Sequence, residues 1–467
     1  MSVQHSVEHS TSQAAPGGRG RRRVLAGISL GYFMVLLDMT VLSVAEPDLA
    51  ASLRTSVAGL QWATSGYTVT FAALLLSAGA VSDRYGDSRL FRAGITVFAA
   101  ASLLSALAPA LWVLVLLRAV MGVAAAACVP ASMSLIARLY PEPAARARAI
   151  ATWAATSGAA VAAGPIAGGA LVNAAGWRAV FLVNVPIGLL VLALVVSRSG
   201  KHRSTVIIPG TDGDGPARRI DWPAQLLAAV VLALATDTLI AAGARHWSHA
   251  AVAAAATAVA LVAFLRLERR SAAPVLNRQL LRVGRVRAAL LAGAAVNFAL
   301  SGALFVLPLL LQRHLDPFRT GLAFLPLTVP FVANPPLTGR IVARVGPYGP
   351  IVAGLALISG GGAVLAAALF ARAPYPWLAL GLLMTGFGVS FALPALTGAI
   401  VSAAPQGTTG AAAGVLNAVR QSGAIVGVAV MGAAVASGAG WSMIIASAVC
   451  ALALAVFALA GRVRRAA

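Results

Sequence analysis

Apolar runs of about 20 residues, each long enough to cross a bilayer core as a helix, recur along the whole chain between short polar segments rich in Arg, Gly and Pro. The pattern predicts spans at 24–45, 60–81, 90–109, 110–137, 149–172 and 177–197. After a polar break come two more, at 221–243 and 247–265, and after a second break six further spans, at 288–311, 320–338, 350–371, 376–401, 412–435 and 440–460. A lipid-embedded backbone must satisfy its own polar groups, and runs this long and this apolar do so as helices. The expectation is an all-α polytopic membrane protein with fourteen transmembrane helices, arranged as two six-helix bundles plus two additional central helices.

The polar segments divide the chain. Residues 1–23 form a basic, Gly-rich arm without periodicity, expected to be disordered. An N-terminal bundle, 24–197, is followed by a turn-rich linker, 198–220, the two additional helices, 221–265, and a basic segment, 266–287, whose spacing suits an amphipathic surface helix. The C-terminal bundle, 288–460, ends in a basic tail, 461–467. With both termini cytoplasmic, the inside segments carry 27 of the 35 Lys and Arg residues and the outside loops six, leaving only Arg118 and Arg420 within spans. Such asymmetry is the positive-inside signature of an inner-membrane topology, so the net charge of +22 reports orientation and predicts no nucleic-acid partner. Arg21 to Arg23 ahead of an apolar run also suit a signal peptide. The length of that run, the acid within it and the many spans that follow argue against cleavage.

The two six-span groups share landmarks at a nearly constant offset, as an internal duplication gives. The segment Gly79-x-x-x-Asp83-Arg84-x-Gly86 matches Gly339-x-x-x-Ala343-Arg344-x-Gly346 at 260 residues, Pro130 and Pro141 match Pro394 and Pro405 at 264, and Gly164-x-x-x-Gly168 matches Gly423-x-x-x-Gly427 at 259. Aligning Leu25-Ala26-Gly27 with Leu291-Ala292-Gly293 sets Leu304 opposite Asp38, and Leu382 falls opposite Arg118. Two chemically distinctive residues therefore belong to the first half alone.

Asp38 stands inside the first span, where a carboxylate costs about 2.5–3.5 kcal/mol on insertion scales. It is the leading candidate for coupling ion movement to transport, with Arg118 as its candidate cation. Glu46, near the outer end of the same span, is a candidate for attracting a cationic substrate. Asp83 and Arg84, with Gly79, Gly86 and Arg89, form a candidate gating loop with an Asp83–Arg84 latch. Gly158, Gly164, Pro165, Gly168 and Gly169 provide a small-residue packing face in span 5, kinked at the proline. Asp237 is expected to be non-catalytic, and no histidine relay is expected. No GxxxxGK[ST] loop exists and Lys201 is the sole lysine, which argues against ATP as the energy source. Cys128 and Cys450 sit in apolar runs without metal-ligand spacing.

The residues resemble the major facilitator superfamily, and within it the fourteen-span drug:proton antiporters. Leu37-Asp38-Met39-Thr40-Val41 with Val44-Ala45-x-Pro47 is similar to that branch's first-helix motif, with Glu46 at a usually apolar position and Ser43 at a usual asparagine. Gly79 to Arg89 resembles the loop motif common to the superfamily, and Arg118-x-x-x-Gly122 the helix-4 motif, with Met121 for its usual glutamine. Gly158 to Gly169 resembles the helix-5 motif of antiporters. Trp177, Arg178, Asn184 and Pro186 lie in a span-6 signature, and Arg420-Gln421 resembles a span-13 motif without an assigned chemical step. The resemblance implies the major facilitator fold and a multi-pass transporter of the cell membrane, not an enzyme. It would be a proton-coupled antiporter exporting drugs, antibiotics or a toxic self-made metabolite by alternating access. The partners implied are a small amphipathic or cationic drug-like substrate, protons and the lipid bilayer; no cofactor beyond the proton gradient is expected, and the protein is expected to be monomeric. An exporter dedicated to one biosynthetic product and a facilitative uniporter or importer of a small solute share the pattern.

Overall fold

The computed structural model describes residues 18–197, 205–206, 221–271, 282–403 and 409–462, apart from the side chains of 76, 77, 79, 80 and 83 in one helix and of 196, 197, 205, 206, 409–411 and 461–462. Most of the arm and of the linker predicted from sequence, and residues 272–281 of the second basic segment, lie outside these residues. Helices dominate: α1 Gly18–Leu53, α2 Val57–Tyr85, α3 Asp87–Ala106, α4 Leu111–Leu139, α5 Pro143–Ala175, α6 Ala179–Leu182, α7 Asn184–Val195, α8 Trp222–Gly243, α9 Trp247–Arg270, α10 Gly284–Leu311, α11 Pro317–Ala323, α12 Leu325–Ala333, α13 Pro335–Val345, α14 Tyr348–Phe370, α15 Tyr375–Ala403, α16 Thr409–Ala434 and α17 Ala439–Arg462.

Eleven helices among the described residues are long and apolar enough to cross a membrane. The remaining three predicted spans fall on α2, on the pair α6–α7, and on the sequence α11–α12–α13. Proline accounts for the broken pair: Pro186 has no N–H for the Leu182 carbonyl, and the helix divides between Leu182 and Asn184. Prolines 317, 326 and 335 each sit in the first turn of α11, α12 and α13, where a missing N–H is harmless. α1 exceeds its predicted span, running through Pro47 to Leu53. Glu46 therefore lies within the helix rather than at its end. α5 likewise continues through Pro165 without interruption.

Close glycine contacts determine how the helices assemble. A Cβ at Gly164 would meet Thr40 Oγ1, and one at Gly168 would come within 2.5 Å of the Val41 carbonyl, so α5 lies against α1. The matching glycines of the second half, Gly423 and Gly427, meet the carbonyls of Ala294 and Phe298, so α16 lies against α10 in the same manner. This packing corrects the register expected for the first helix of each half. Thr40 to Ala294 is an offset of 254 and Val41 to Phe298 of 257, so Leu304 is not opposite Asp38; the second half presents Asn297 within about a turn of that level.

The two halves meet at one end. Gln61 of α2 donates to the Val428 and Ala429 carbonyls of α16, both at 2.9 Å, and Gln312 donates to the Val44 carbonyl at 2.7 Å. Gly169 faces the Pro317 carbonyl while Gly321 faces that of Pro165, a reciprocal contact of α5 with α11. At the opposite end much of the first turns of α5 and of α13 is exposed. α8 and α9 pack on each other, and α8 also lies against α2 and α16.

Candidate functional site

Asp38 lies near the middle of α1, 1% exposed, and its Oδ2 is ion-paired with Nη1 of the equally buried Arg118 on α4. The Arg118 Nε donates to the Ala63 carbonyl of α2 at 3.2 Å. Its guanidinium stands 4.6 Å from the centroid of the Tyr67 ring, and the Tyr67 hydroxyl in turn donates to the Val35 carbonyl of α1. The other carboxylate oxygen accepts from Asn184 Nδ2 at 2.9 Å. The same amide nitrogen lies 3.1 Å from Ser102 Oγ, whose hydroxyl donates to the Phe181 carbonyl. Five helices thus converge on one carboxylate: α1 supplies it, and α2, α3, α4 and α7 orient its partners. An ion pair so thoroughly desolvated is held by complementary hydrogen bonds, and losing either partner strands the other charge.

Sequence position brought Asp38 and Arg118 together correctly as candidates but gave Asn184 no chemistry. The helix break at Pro186 is what sets Asn184 at the head of α7, pointing at Asp38. Tyr67 and Ser102 were missed; the signal available was that each is a polar side chain inside an apolar run, now fully buried.

Glu46 lies two turns beyond Asp38 on α1, about 12 Å along the axis. It is 2% exposed; Oε1 accepts from Thr64 at 3.0 Å, and Oε2 has no protein partner among the described residues. Thr64 directly follows the residue whose carbonyl receives Arg118, so Asp38 and Glu46 border one stretch of α2.

The gating loop is a single-residue connection: α2 ends at Tyr85, α3 begins at Asp87, and Gly86 joins them at φ +86°, backbone that favours glycine. The Asp83 side chain lies outside the described residues, and Gly79 is placed only as part of α2. Arg84 is exposed and 5.6 Å from the Tyr85 ring centroid, and Arg89 stands exposed in the first turn of α3. Among the described side chains of this region the buried acid is Asp87, which accepts from Ser82 and pairs with Arg138 Nε at 2.8 Å, tying α2, α3 and the end of α4 together.

In α5 the glycine motif has two working faces. Gly164 and Gly168 meet α1, whereas Gly158, 2.8 Å in Cβ terms from the Phe331 carbonyl, and Gly169 meet α12 and α11 of the other half, with Pro165 lending its carbonyl to Gly321. Trp177 is buried, its backbone N–H donating to Asp48 Oδ2 at 2.7 Å, with the Arg178 guanidinium 4.4 Å from its ring centroid, while Pro186 is exposed. Arg420 and Gln421 are in α16, far along the sequence from Asp38, and engage Asn297 of α10. Asp237, expected to be non-catalytic, is 2.7 Å from His249 Nε2, and His249 lies in the first turn of α9, inside the span predicted over 247–265.

A helical membrane protein with a buried ion pair at the centre of its first bundle and a second, similarly packed bundle beside it has the construction of a solute transporter. The chain belongs to the Major Facilitator Superfamily, whose family pattern it matches over residues 28–428. It is 35% identical to the methylenomycin A resistance protein of Bacillus subtilis (strain 168), over 93% of this chain and 91% of that protein. It is 34% identical to the multidrug resistance protein Stp of Mycobacterium tuberculosis (strain CDC 1551 / Oshkosh), over 88% and 75%. In fold it resembles a POT family transporter solved in complex with 5-aminolevulinic acid, with a TM-score of 0.71, 13% identity, and coverage of 94% of this chain and 96% of that one.

Proposed function

We propose that the protein is a proton-coupled antiporter that exports amphipathic drug-like compounds across the cell membrane by alternating access. The observation that carries this is the Asp38–Arg118–Asn184 cluster: a carboxylate that one proton would neutralise, bonded to a cation and an amide on two other helices. Protonation of Asp38 removes the charge that holds Arg118 and loosens the junction of α1 with α4 and α7. Deprotonation restores it. The relatives named for antibiotic and multidrug resistance support the direction of transport and the class of substrate. The loop at Gly86, anchored through Asp87 and Arg138, serves as the hinge at the cytoplasmic end, and Glu46, with a free carboxylate oxygen, provides a second protonation site.

In this reading α2, the α6–α7 pair and the α11–α13 series complete fourteen crossings with both termini inside. The sealed end, where Gln61 meets α16 and Gly169 meets Pro317, is then extracellular, and the conformation is inward-open. The deciding experiment uses everted vesicles with an imposed pH gradient and a panel of antibiotics. A compound should collapse the gradient with the wild-type chain and not with Asp38→Asn. Equal response in both would remove Asp38 from coupling; equilibration of a substrate without any proton movement would make the protein a facilitator.

A further inference from the structure

The proton-coupling cluster occupies the face of α1 that looks into the first bundle. Tyr32 and Met39, seven residues apart and so on one side of the helix, are on a different face. Gln421 of α16 lies 3.9 Å from the Met39 sulfur, and the Tyr32 hydroxyl is within electrostatic range of Arg420. Tyr32 and Trp153 of α5 form stacked plates with centroids 4.2 Å apart and planes 5° from parallel. The Trp153 indole N–H is buried and has no acceptor among the described residues.

Arg420 is unlike Arg118 in one respect. Among the described residues no carboxylate is paired with it; Nε donates to Asn297 Oδ1 at 3.2 Å and Nη1 to Asn417 Oδ1 at 3.1 Å. A guanidinium has five N–H donors, so three stay unused on a side chain that is partly open. The stem is accommodated by Gly293, where a Cβ would lie 3.1 Å from Arg420 Cγ. At the matching position of the first half, by the 259-residue offset of the glycine pair, the residue is Val161. The duplication therefore supplies no structural requirement for a cation here, and neutral amides, rather than an acid, hold it in place. An arginine so far inside a spanning helix is retained where it faces a cavity or a ligand.

We infer that Arg420, with Asn297, Gln421, Tyr32 and Trp153, forms a substrate subsite for planar aromatic compounds bearing an anionic oxygen group. The rings lie against the Tyr32–Trp153 plates, the anion takes the free N–H groups of Arg420, and the Trp153 indole N–H donates to a second acceptor. This rests on the exporter reading for its place in transport, but binding itself needs neither a proton gradient nor Asp38.

The test uses the purified full-length protein in lipid nanodiscs and three matched fluorescent probes: anthracene-9-carboxylate, its methyl ester, and 9-(aminomethyl)anthracene. Equilibrium binding should favour the carboxylate over the ester by roughly tenfold or more, the span expected of a charge-assisted bidentate contact. Arg420→Gln should erase that preference. Asn297→Asp, nearly isosteric and supplying an internal counter-ion, should also erase it while leaving the unfolding midpoint close to wild type. Tyr32→Ala should weaken all three probes together. Equal affinity of the wild type for carboxylate and ester, survival of the preference in both Arg420→Gln and Asn297→Asp, or no binding of any probe at millimolar concentration overturns the subsite. A preference that holds in a protein whose Asp38→Asn variant still moves protons normally would leave the subsite standing and sink the antiport reading instead.

Discussion

Removing Arg118 isolates Asp38 at a depth where no water replaces the lost counter-charge. In Arg118→Leu the carboxylate keeps only the Asn184 hydrogen bond, and the variant also loses the donor to Ala63 and the cation–ring contact with Tyr67. Breaking one side of a buried pair costs about 3–5 kcal/mol. Asp38→Asn should cost less, because Arg118 retains Ala63 and Tyr67 and the new amide can still be hydrogen-bonded. The double variant Asp38→Asn/Arg118→Leu has no stranded charge, and replacing a whole buried pair is often near neutral. Its loss should therefore fall at least about 2 kcal/mol short of the sum of the singles, well outside the roughly 0.3–0.5 kcal/mol within which independent sites add. Equilibrium unfolding of the four proteins in mixed micelles measures this directly. A double variant as damaged as the sum of the singles would refute the account of a mutually dependent pair.

The remaining expectations concern packing, backbone and one exposed cap. Gly169→Ala places a methyl against the Pro317 carbonyl at the contact between halves. It should open that end, seen as faster labelling of a cysteine introduced at Phe318, whereas Gly414→Ala, with no neighbour within 4 Å, should leave labelling unchanged. Gly86→Ala meets no obstruction but must adopt φ +86°, at a cost of about 1–3 kcal/mol; an unchanged unfolding midpoint would show the connection to be remodelled instead. Glu142 caps α5 by accepting from the Ala144 and Ala145 N–H groups, which hold its carboxyl below the usual glutamate range. Because the folded-state value is depressed, its stabilisation of the first turn is present above the ordinary glutamate value and lost as pH falls through the folded one. Amide exchange of that turn, corrected for intrinsic rates, should show this pH dependence in the wild type and not in Glu142→Gln.

Hydropathy and charge asymmetry were enough to specify a helical membrane protein and the order of its helices, because a bilayer imposes length and polarity on every crossing regardless of neighbours. The duplication was legible for the same reason: glycines spaced by four mark a close-packed face wherever they occur, and those of α5 and α16 do seat equivalent helices. Asp38 and Arg118 were visible as charges too costly to sit in lipid without a purpose. What hydropathy does not encode is helix rotation and axial register. Only the tertiary structure moved the counterpart of Asp38 from Leu304 towards Asn297 and set Asn184 rather than a further charge on the carboxylate. It likewise assigned the anchoring of the α2–α3 loop to Asp87 and Arg138, and brought Tyr32 and Trp153 to the side where Arg420 waits with unused donors. Each of these depends on which faces meet after assembly, and a sequence fixes the members of a face long before it fixes the face across from it.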